Sequence, residues 1–192
     1  MNKLGLVIIS VSLIGACGGK KKSGGGDSKP LDVAAVNALV PASLKDKVTF
    51  EKRDIAEKRG RHSKTYTLAA PKGWKQDMDS FASLKPDKDG MGFMTSFKVG
   101  TNCDGDCKAK DWAATVEKVY DSYLKGKVIK DVKGKNSRTI IAESGDMTAV
   151  VVASWEDGAS EYSDCGATLE KEVKDLAPAV EKACESVTVS ED

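Results

Sequence analysis

The chain of 192 residues is long enough for one ordinary globular domain, and its 40% apolar and 31% charged residues are close to the averages for soluble globular proteins. These fractions argue against wholesale disorder, collagen-like repeats and a polytopic membrane protein. The formal net charge of +1 offers no overall attraction for nucleic acid, which requires clustered lysine and arginine. Composition therefore predicts a folded domain but does not name an activity.

Residues 1–16 have the architecture of a secretory signal peptide, with Lys3 near the start, an apolar run over residues 4–14 and small residues before Cys17. The run is too short for a transmembrane helix, which needs roughly 20 residues. Residues 14–17, Ile-Gly-Ala-Cys, resemble a bacterial lipobox, whose cysteine is lipidated on sulfur and becomes the new N-terminus. The resemblance implies a lipid anchor on Cys17, and the alternative is an ordinary cleavable signal with a coincidental cysteine.

The residues that follow Cys17 are predicted to form a flexible tether over 17–30. Their Gly, Lys and Ser side chains cannot pack, so they cannot offset the entropy of ordering. The tether carries a charge of +3 and Lys3 of the leader adds one more, which leaves residues 31–192 at −3. We interpret it as a solvated linker, with contact to anionic headgroups as the alternative. Gly18 in place of aspartate favours the outer membrane, with the domain facing the periplasm.

Cysteine usage supports this division, because assigning Cys17 to lipid leaves an even set in an oxidising compartment. Four thiols allow three pairings. Proximity favours Cys103 with Cys107, since Gly105 permits a tight loop, and Cys165 with Cys184 then follows by elimination. A redox-active pair is usually closer in sequence, and the wide second spacing disfavours zinc. Both bonds are therefore predicted to be structural.

In the first half of the folded region, helical spacing of apolar residues predicts a short helix over 31–44, interrupted by Pro41. Residues 48–55 and 65–68 are predicted strands, separated by a charged, exposed loop over 56–64. A second hairpin is expected from residues 81–84 and 91–99, with a turn at 86–90.

In the second half, Asp111 is a predicted N-cap of a helix that ends at Lys125 before Gly126. Strands are expected over 128–132, 138–143, 147–155 and 159–168, followed by a helical run from Leu169 to Cys184 and a closing strand over 187–189. Pro178 must kink that run or start a new turn. The apolar face predicted for the first of these helices comprises Trp112, Val116, Val119, Tyr120, Tyr123 and Leu124.

Short connections between most strands favour an antiparallel sheet, so the fold class predicted is α+β, a mainly antiparallel sheet flanked by helices. The chain contains residues 66–74, Tyr-Thr-Leu-Ala-Ala-Pro-Lys-Gly-Trp, then the Trp112 helix, a three-strand run and Cys165-Gly-Ala-Thr-Leu before a last helix. Together these features resemble the PsbP-like family. The resemblance covers about residues 48–190. It implies an α/β/α sandwich, and residues 31–192 are predicted to form the single globular α+β domain. The family holds photosynthetic subunits and bacterial lipoproteins of unknown role, so the resemblance implies no ligand residues.

No motif predicts catalysis, a metal or a cofactor. His62 lies in a basic, hydrophilic stretch without a motif that places a nucleophile beside it, so a solvated hairpin tip is favoured over partner binding. Incomplete calcium-loop patterns are better explained as turns and caps, because no glutamate closes them. These patterns involve Asp87, Asp89, Gly90, Asp104, Asp106 and Asp111, and the tryptophans assigned to the core are Trp74, Trp112 and Trp155.

The sequence therefore predicts a non-enzymatic, lipid-anchored protein of the bacterial cell envelope. Its expected role is to bind or assemble with a protein or another envelope component, without nucleic acid. The alternative is a small-ligand carrier with a pocket between sheet and helix. A large apolar cavity would favour the carrier, and one exposed apolar patch on a well-packed domain would favour the binding module.

Overall fold

A computed structural model describes residues 30–59, 61–78, 81–85, 94–103, 108 and 111–191. Its α-helices are α1 (Val33–Ala38), α2 (Trp112–Leu124) and α3 (Ala177–Cys184), with 3-10 turns at Ala42–Leu44 and Lys171–Leu176. Its strands are β1 (Phe50–Arg59), β2 (His62–Pro71), β3 (Lys75–Met78), β4 (Phe81–Lys85), β5 (Met94–Asn102), β6 (Lys127–Lys133), β7 (Ser137–Ser144), β8 (Met147–Trp155), β9 (Tyr162–Glu170) and β10 (Thr188–Glu191).

The strands form two sheets. A seven-stranded sheet has the order β3-β4-β5-β9-β8-β7-β6, and a three-stranded sheet has the order β1-β2-β10. All pairs between these described strands are antiparallel, which confirms the α+β class and the antiparallel sheet. The expected closing strand exists as β10, but it pairs with β2 in the separate sheet.

The first hairpin differs from its prediction, because most of the expected loop over 56–64 is strand. β1 continues to Arg59 and β2 begins at His62, opposite it. The alternation of buried and exposed positions persists along β1, with Ile55 and Glu57 buried and Lys58 exposed. The sequence predicts that the strand ends at Ile55, because the next inward position is occupied by a charged residue, Glu57.

Helix α2 forms as predicted but buries a narrower face. Asp111 caps it, its carboxylate accepting a hydrogen bond from the Ala114 backbone nitrogen at 3.1 Å. Its buried residues are Trp112, Val116 and Tyr120. Val119 and Tyr123 were expected on the same face, yet both are exposed. The reason is that α2 packs mainly over β7, with fewer contacts to β6 and β8, so the flank that carries Tyr123 borders an open depression over β8 and β9.

The C-terminal run that sequence reasoning assigned to one helix consists of three pieces. Leu169 belongs to β9, a 3-10 turn follows, and α3 begins at Ala177 with Pro178 in its first turn, where a missing backbone N–H costs little. Cys165 of β9 is bonded to Cys184 of α3, with the two Cα atoms 5.3 Å apart. The predicted pairing and its link from the last helix to a strand are thus confirmed.

Two apolar clusters lie on opposite faces of the seven-stranded sheet. In β7, Ile141 belongs to the larger cluster with α3, α1 and the three-stranded sheet, while Ile140 and Ala142 belong to the smaller one beneath α2. This alternation gives three layers around the central sheet. The three tryptophans predicted for the core are all buried, Trp74 in the larger cluster and the other two under α2.

Candidate functional site

Several predicted site residues fall outside the residues that the structure describes. They are Cys17 with its tether, Cys107, and the turn residues Asp87, Asp89, Gly90, Asp104 and Asp106. Cys103 is disulfide-bonded, and its pairing with Cys107 stays a prediction. His62 is the first residue of β2 rather than part of a loop. Asp111 serves as a helix cap, as expected of that pattern.

A polar cleft of about 260 Å³ lies where β10 meets the β8–β9 hairpin. At its edge the Lys64 ammonium donates to Thr101 Oγ1 at 2.8 Å and pairs with the carboxylates of Glu161 and Glu191. These contacts join β2 and β10 of the three-stranded sheet to β5 and the approach to β9. The cleft's one described ammonium is thus used to hold the two sheets together.

Beside this cleft, a buried polar pair lies near the turn of the β1–β2 hairpin. The Tyr66 hydroxyl donates to Glu57 Oε2 at 2.7 Å, and both residues are buried. Burial raises the pKa of Tyr66, and the nearby Glu57 carboxylate raises it further. A hydroxyl held in its neutral form is a hydrogen-bond donor at physiological pH rather than a base.

A second depression, of about 120 Å³, lies between α2 and the sheet, the position expected for a carrier pocket. Asp164 is its central polar residue, accepting from Asn102 Nδ2 at 2.7 Å and from the Tyr120 hydroxyl at 3.2 Å. Burial raises the pKa of Asp164, and burial with the adjacent Asp164 carboxylate raises the pKa of Tyr120. The depression is well below the roughly 300–1,000 Å³ typical of small-molecule sites.

Neither depression carries an obvious metal centre or reaction site. Among the described residues, no group of three or more His, Cys, Asp or Glu side chains is placed to hold a metal ion. The side chains of Lys64, Tyr66 and Asp164 are hydrogen-bonded to neighbouring strands or helices, which is the pattern of polar groups that position elements. The feature best suited to recognition lies at the exposed surface instead.

Exposed large apolar side chains are concentrated on two elements of the fold. Of the six among the described residues, five lie on α2 and β6, and the sixth is Leu39 at the end of α1. We call these five the α2–β6 surface: Val119 (47% exposed), Tyr123 (38%), Val128 (42%), Ile129 (53%) and Val132 (49%). The five residues do not form one patch, because Tyr123 borders the depression over β8 and β9, whereas Glu117 on the other flank of α2 meets Lys133 of β6.

Ion pairs with both neighbouring layers hold β6 in this position. Lys133 Nζ donates to Glu117 of α2 at 2.9 Å, and Lys130 Nζ donates to Glu181 of α3 at 2.7 Å. A register shift between Val128 and Lys130 leaves Ile129 in a bulge. Lys130 and Lys133 of β6 are therefore directed to the two helices, while its apolar side chains remain at the surface.

A buried arginine lies beneath the α2–β6 surface. Arg138 of β7, only 4% exposed, donates from Nε and Nη2 to Asp131 at 3.0 and 3.1 Å. These hydrogen bonds lower the pKa of Asp131 and raise that of Arg138. Arg138 Nη1 is buried without a hydrogen-bond partner in the described part of the chain. The Asp131 charge is thus directed inward, away from the strand's open edge.

Sequence reasoning predicted the elements of this surface and missed the surface itself. It placed Val119 and Tyr123 in the core and assigned no role to β6. The available signal was the repeated lysine in 125–135, since strands that alternate lysine with valine are typical of exposed edges rather than sheet centres.

Comparison with protein-family models finds no match for this chain, and comparison with curated proteins finds none either. In the part of the chain that the structure describes, no helix has the length and apolar character needed to cross a membrane. Function must therefore be argued from the chain's own residues.

Proposed function

We propose that this protein is a non-enzymatic binding or assembly module, held at the bacterial cell envelope by lipid on Cys17, and that its partner is another envelope protein. The observation that carries the proposal is the concentration of exposed apolar side chains on the α2–β6 surface. Exposed apolar side chains gathered along one strand, as Val128, Ile129 and Val132 are on β6, mark interaction sites in soluble domains. The rest of the domain has well-buried cores on both faces of its sheet.

The anchor and location rest on the leader. Its lipobox and Gly/Lys/Ser tether suit a domain that acyl chains hold near a membrane. Two or more acyl chains anchor a protein strongly. Gly18 after the cysteine favours the outer membrane and a periplasmic domain. The order of layers, with α2 on one side of the sheet and α3 on the other, is consistent with a PsbP-like α/β/α sandwich.

A small-ligand carrier is the second candidate. Its support is the depression between α2 and the sheet, which has both an apolar floor and the polar Asp164. We rank it below the binding module because the depression is small and its polar groups already bond to each other.

Site-specific crosslinking in living cells tests the binding module. A photoreactive residue at Ile129 is expected to yield a discrete adduct with an envelope protein, because Ile129 is the most exposed apolar side chain of the surface. The matched control places the same residue at Lys52, an exposed position on β1. Absence of an adduct at Ile129, or equal adducts from both positions, would contradict the proposed function.

The anchor is tested separately with Cys17→Ser. This variant should lose both lipid labelling and membrane fractionation, since no other residue of the lipobox can carry the thioether. Continued labelling of the variant would show that Cys17 is not the lipidated residue.

A further inference from the structure

The open edge of β6 is the most informative part of the α2–β6 surface. β6 ends the seven-stranded sheet, and among the described strands only β7 pairs with it. Its outer backbone N–H and C=O groups therefore point away from the sheet, a geometry to which an extended chain can add by main-chain hydrogen bonding. Ion pairs to α2 and α3 hold this edge in place.

The side chains along the edge favour an apolar partner surface. Val128, Ile129 and Val132 are each about half exposed, and they occupy the strand whose backbone is open. An added strand would cover these side chains and also satisfy the backbone groups. A lipid surface would cover the side chains but leave the backbone groups without partners.

The charge of the edge favours an acidic partner. Asp131 is bonded inward to Arg138, whereas Lys127 and Lys130 are more exposed than the glutamates they pair with. For Lys127 and Glu143 the exposed side-chain fractions are 77% and 22%. A carboxylate approaching along the edge would therefore meet ammonium groups first.

Two other occupants fit less well. Residues 125–135 read Lys-Gly-Lys-Val-Ile-Lys-Asp-Val-Lys-Gly-Lys, a near-palindrome centred on Lys130. Antiparallel pairing of two copies about that centre sets lysine opposite lysine, which is destabilising. The chain's own tether is also rich in lysine and lacks large apolar side chains, so it matches neither the charge nor the apolar character.

We propose that β6 binds an extended segment of the partner protein by strand addition, and that this segment carries both acidic and apolar residues. The inference rests on the proposed function and specifies the partner's chemistry and mode of binding. It predicts an affinity that falls with added salt, because carboxylate and ammonium groups at an exposed edge are screened.

The test uses the full-length protein in detergent micelles and a labelled peptide of seven residues, the length of β6, that alternates glutamate with valine. Fluorescence anisotropy measures affinity, and hydrogen exchange reports protection of the β6 amides. One control peptide carries N-methyl groups on alternate residues and cannot add as a strand. A second replaces glutamate with glutamine, which removes the charge.

Val132→Glu is expected to weaken binding of the glutamate-valine peptide at least about tenfold, because it removes apolar contact and adds like charge. The matched control is Ala56→Glu at an exposed position of β1, which should leave the affinity unchanged. Circular dichroism of both variants checks that they remain folded. Protection of β6 amides in the unmodified protein supports the proposal without any substitution.

Several outcomes would overturn strand addition. Two of them are failure of the peptide to bind and equal binding of the N-methylated or glutamine peptide. The others are self-association of the protein through β6, and a Val132→Glu variant that loses binding to anionic vesicles but keeps its binding to the peptide. If the peptide fails while the crosslinker at Ile129 still captures an envelope protein, strand addition is wrong and the proposed function stands. If both fail, both are wrong.

Discussion

β1 and β6 are both edge strands, yet they present different side chains to solvent. On β1 the exposed positions alternate through Lys52, Asp54, Ala56 and Lys58, and most of these are charged. On β6 the exposed positions include Val128, Ile129 and Val132. Charged side chains on an edge discourage pairing with other chains, whereas apolar ones leave the edge available.

The two edge strands differ in whether their apolar residues stabilise the fold or are available for recognition. Ile55 of β1 lies inside the larger core, and Ile129 of β6 lies outside both cores. Equivalent substitutions in the two strands should therefore differ in their effect on stability, and this difference can be measured directly.

The largest effect is expected from Ile55→Ala, which should lower the free energy of unfolding by roughly 2–5 kcal/mol because it removes a side chain that is 2% exposed. Ile129→Ala, the same change on the other edge, should cost less than about 0.5 kcal/mol. Urea unfolding of both variants gives the comparison. Equal losses would mean that Ile129 is part of a core.

The next effect is expected from the double variant Cys165→Ala/Cys184→Ala. Removing the bond that joins β9 to α3 should lower the free energy of unfolding by about 3 kcal/mol, as the unfolded chain regains the entropy of a loop of roughly 20 residues. Chemical denaturation without reductant measures this while leaving other disulfides intact. Because β6 remains paired with β7 and bonded to α2 through Lys133 and Glu117, its peptide binding should persist. Loss of binding by the folded variant would show that recognition at β6 depends on the disulfide.

Asp131→Asn should cost about 1–2 kcal/mol at neutral pH, since it weakens two charge-assisted hydrogen bonds to buried Arg138. The folded-state pKa of Asp131 is lowered, so its stabilisation is present above the unfolded pKa near 4 and is lost as pH falls through the folded pKa. The difference from wild type should shrink at acid pH. The matched control is Asp54→Asn on β1. A loss of stability as large as that of Asp131→Asn would show that the bonds to Arg138 are not the cause.

The smallest effect is expected from Asp164→Asn, with a gain of up to about 1 kcal/mol at neutral pH. Burial raises the folded-state pKa of Asp164, so its contribution is present below the unfolded pKa near 4 and is lost as pH rises through the folded pKa. The variant's advantage should therefore disappear on acidification. A variant less stable than wild type at pH 7 would show that the bonds to Asn102 and Tyr120 need the carboxylate.

Local patterns were sufficient to predict most of the elements. The Asp111 cap and the following apolar spacing predicted α2, and alternation between turns predicted β7 and β8. The Cys165–Cys184 bond was reached by elimination once Cys17 was assigned to lipid. These predictions succeeded because capping, periodicity and cysteine pairing depend on few residues or on simple counting.

The candidate site was harder to predict because burial depends on distant neighbours. Periodicity predicts Val119 and Tyr123 on the apolar face of α2, but whether that face is covered depends on how the helix is placed over the strands. Glu57 shows the same limit, since only its partner Tyr66 makes an inward carboxylate acceptable in β1. No local pattern indicated that the last strand would pair with β2 in a second sheet.

By itself the sequence determined the α+β class, the capped helix and the confirmed pairing of Cys165 with Cys184, and it predicts the lipid anchor. Each of these features is encoded by neighbouring residues or by composition. The tertiary structure decided which strands became edges and which apolar side chains stayed at the surface. The physical reason is that the strand order of a sheet is set by contacts between residues far apart in the chain, and the free edge of β6 exists only once that order is complete.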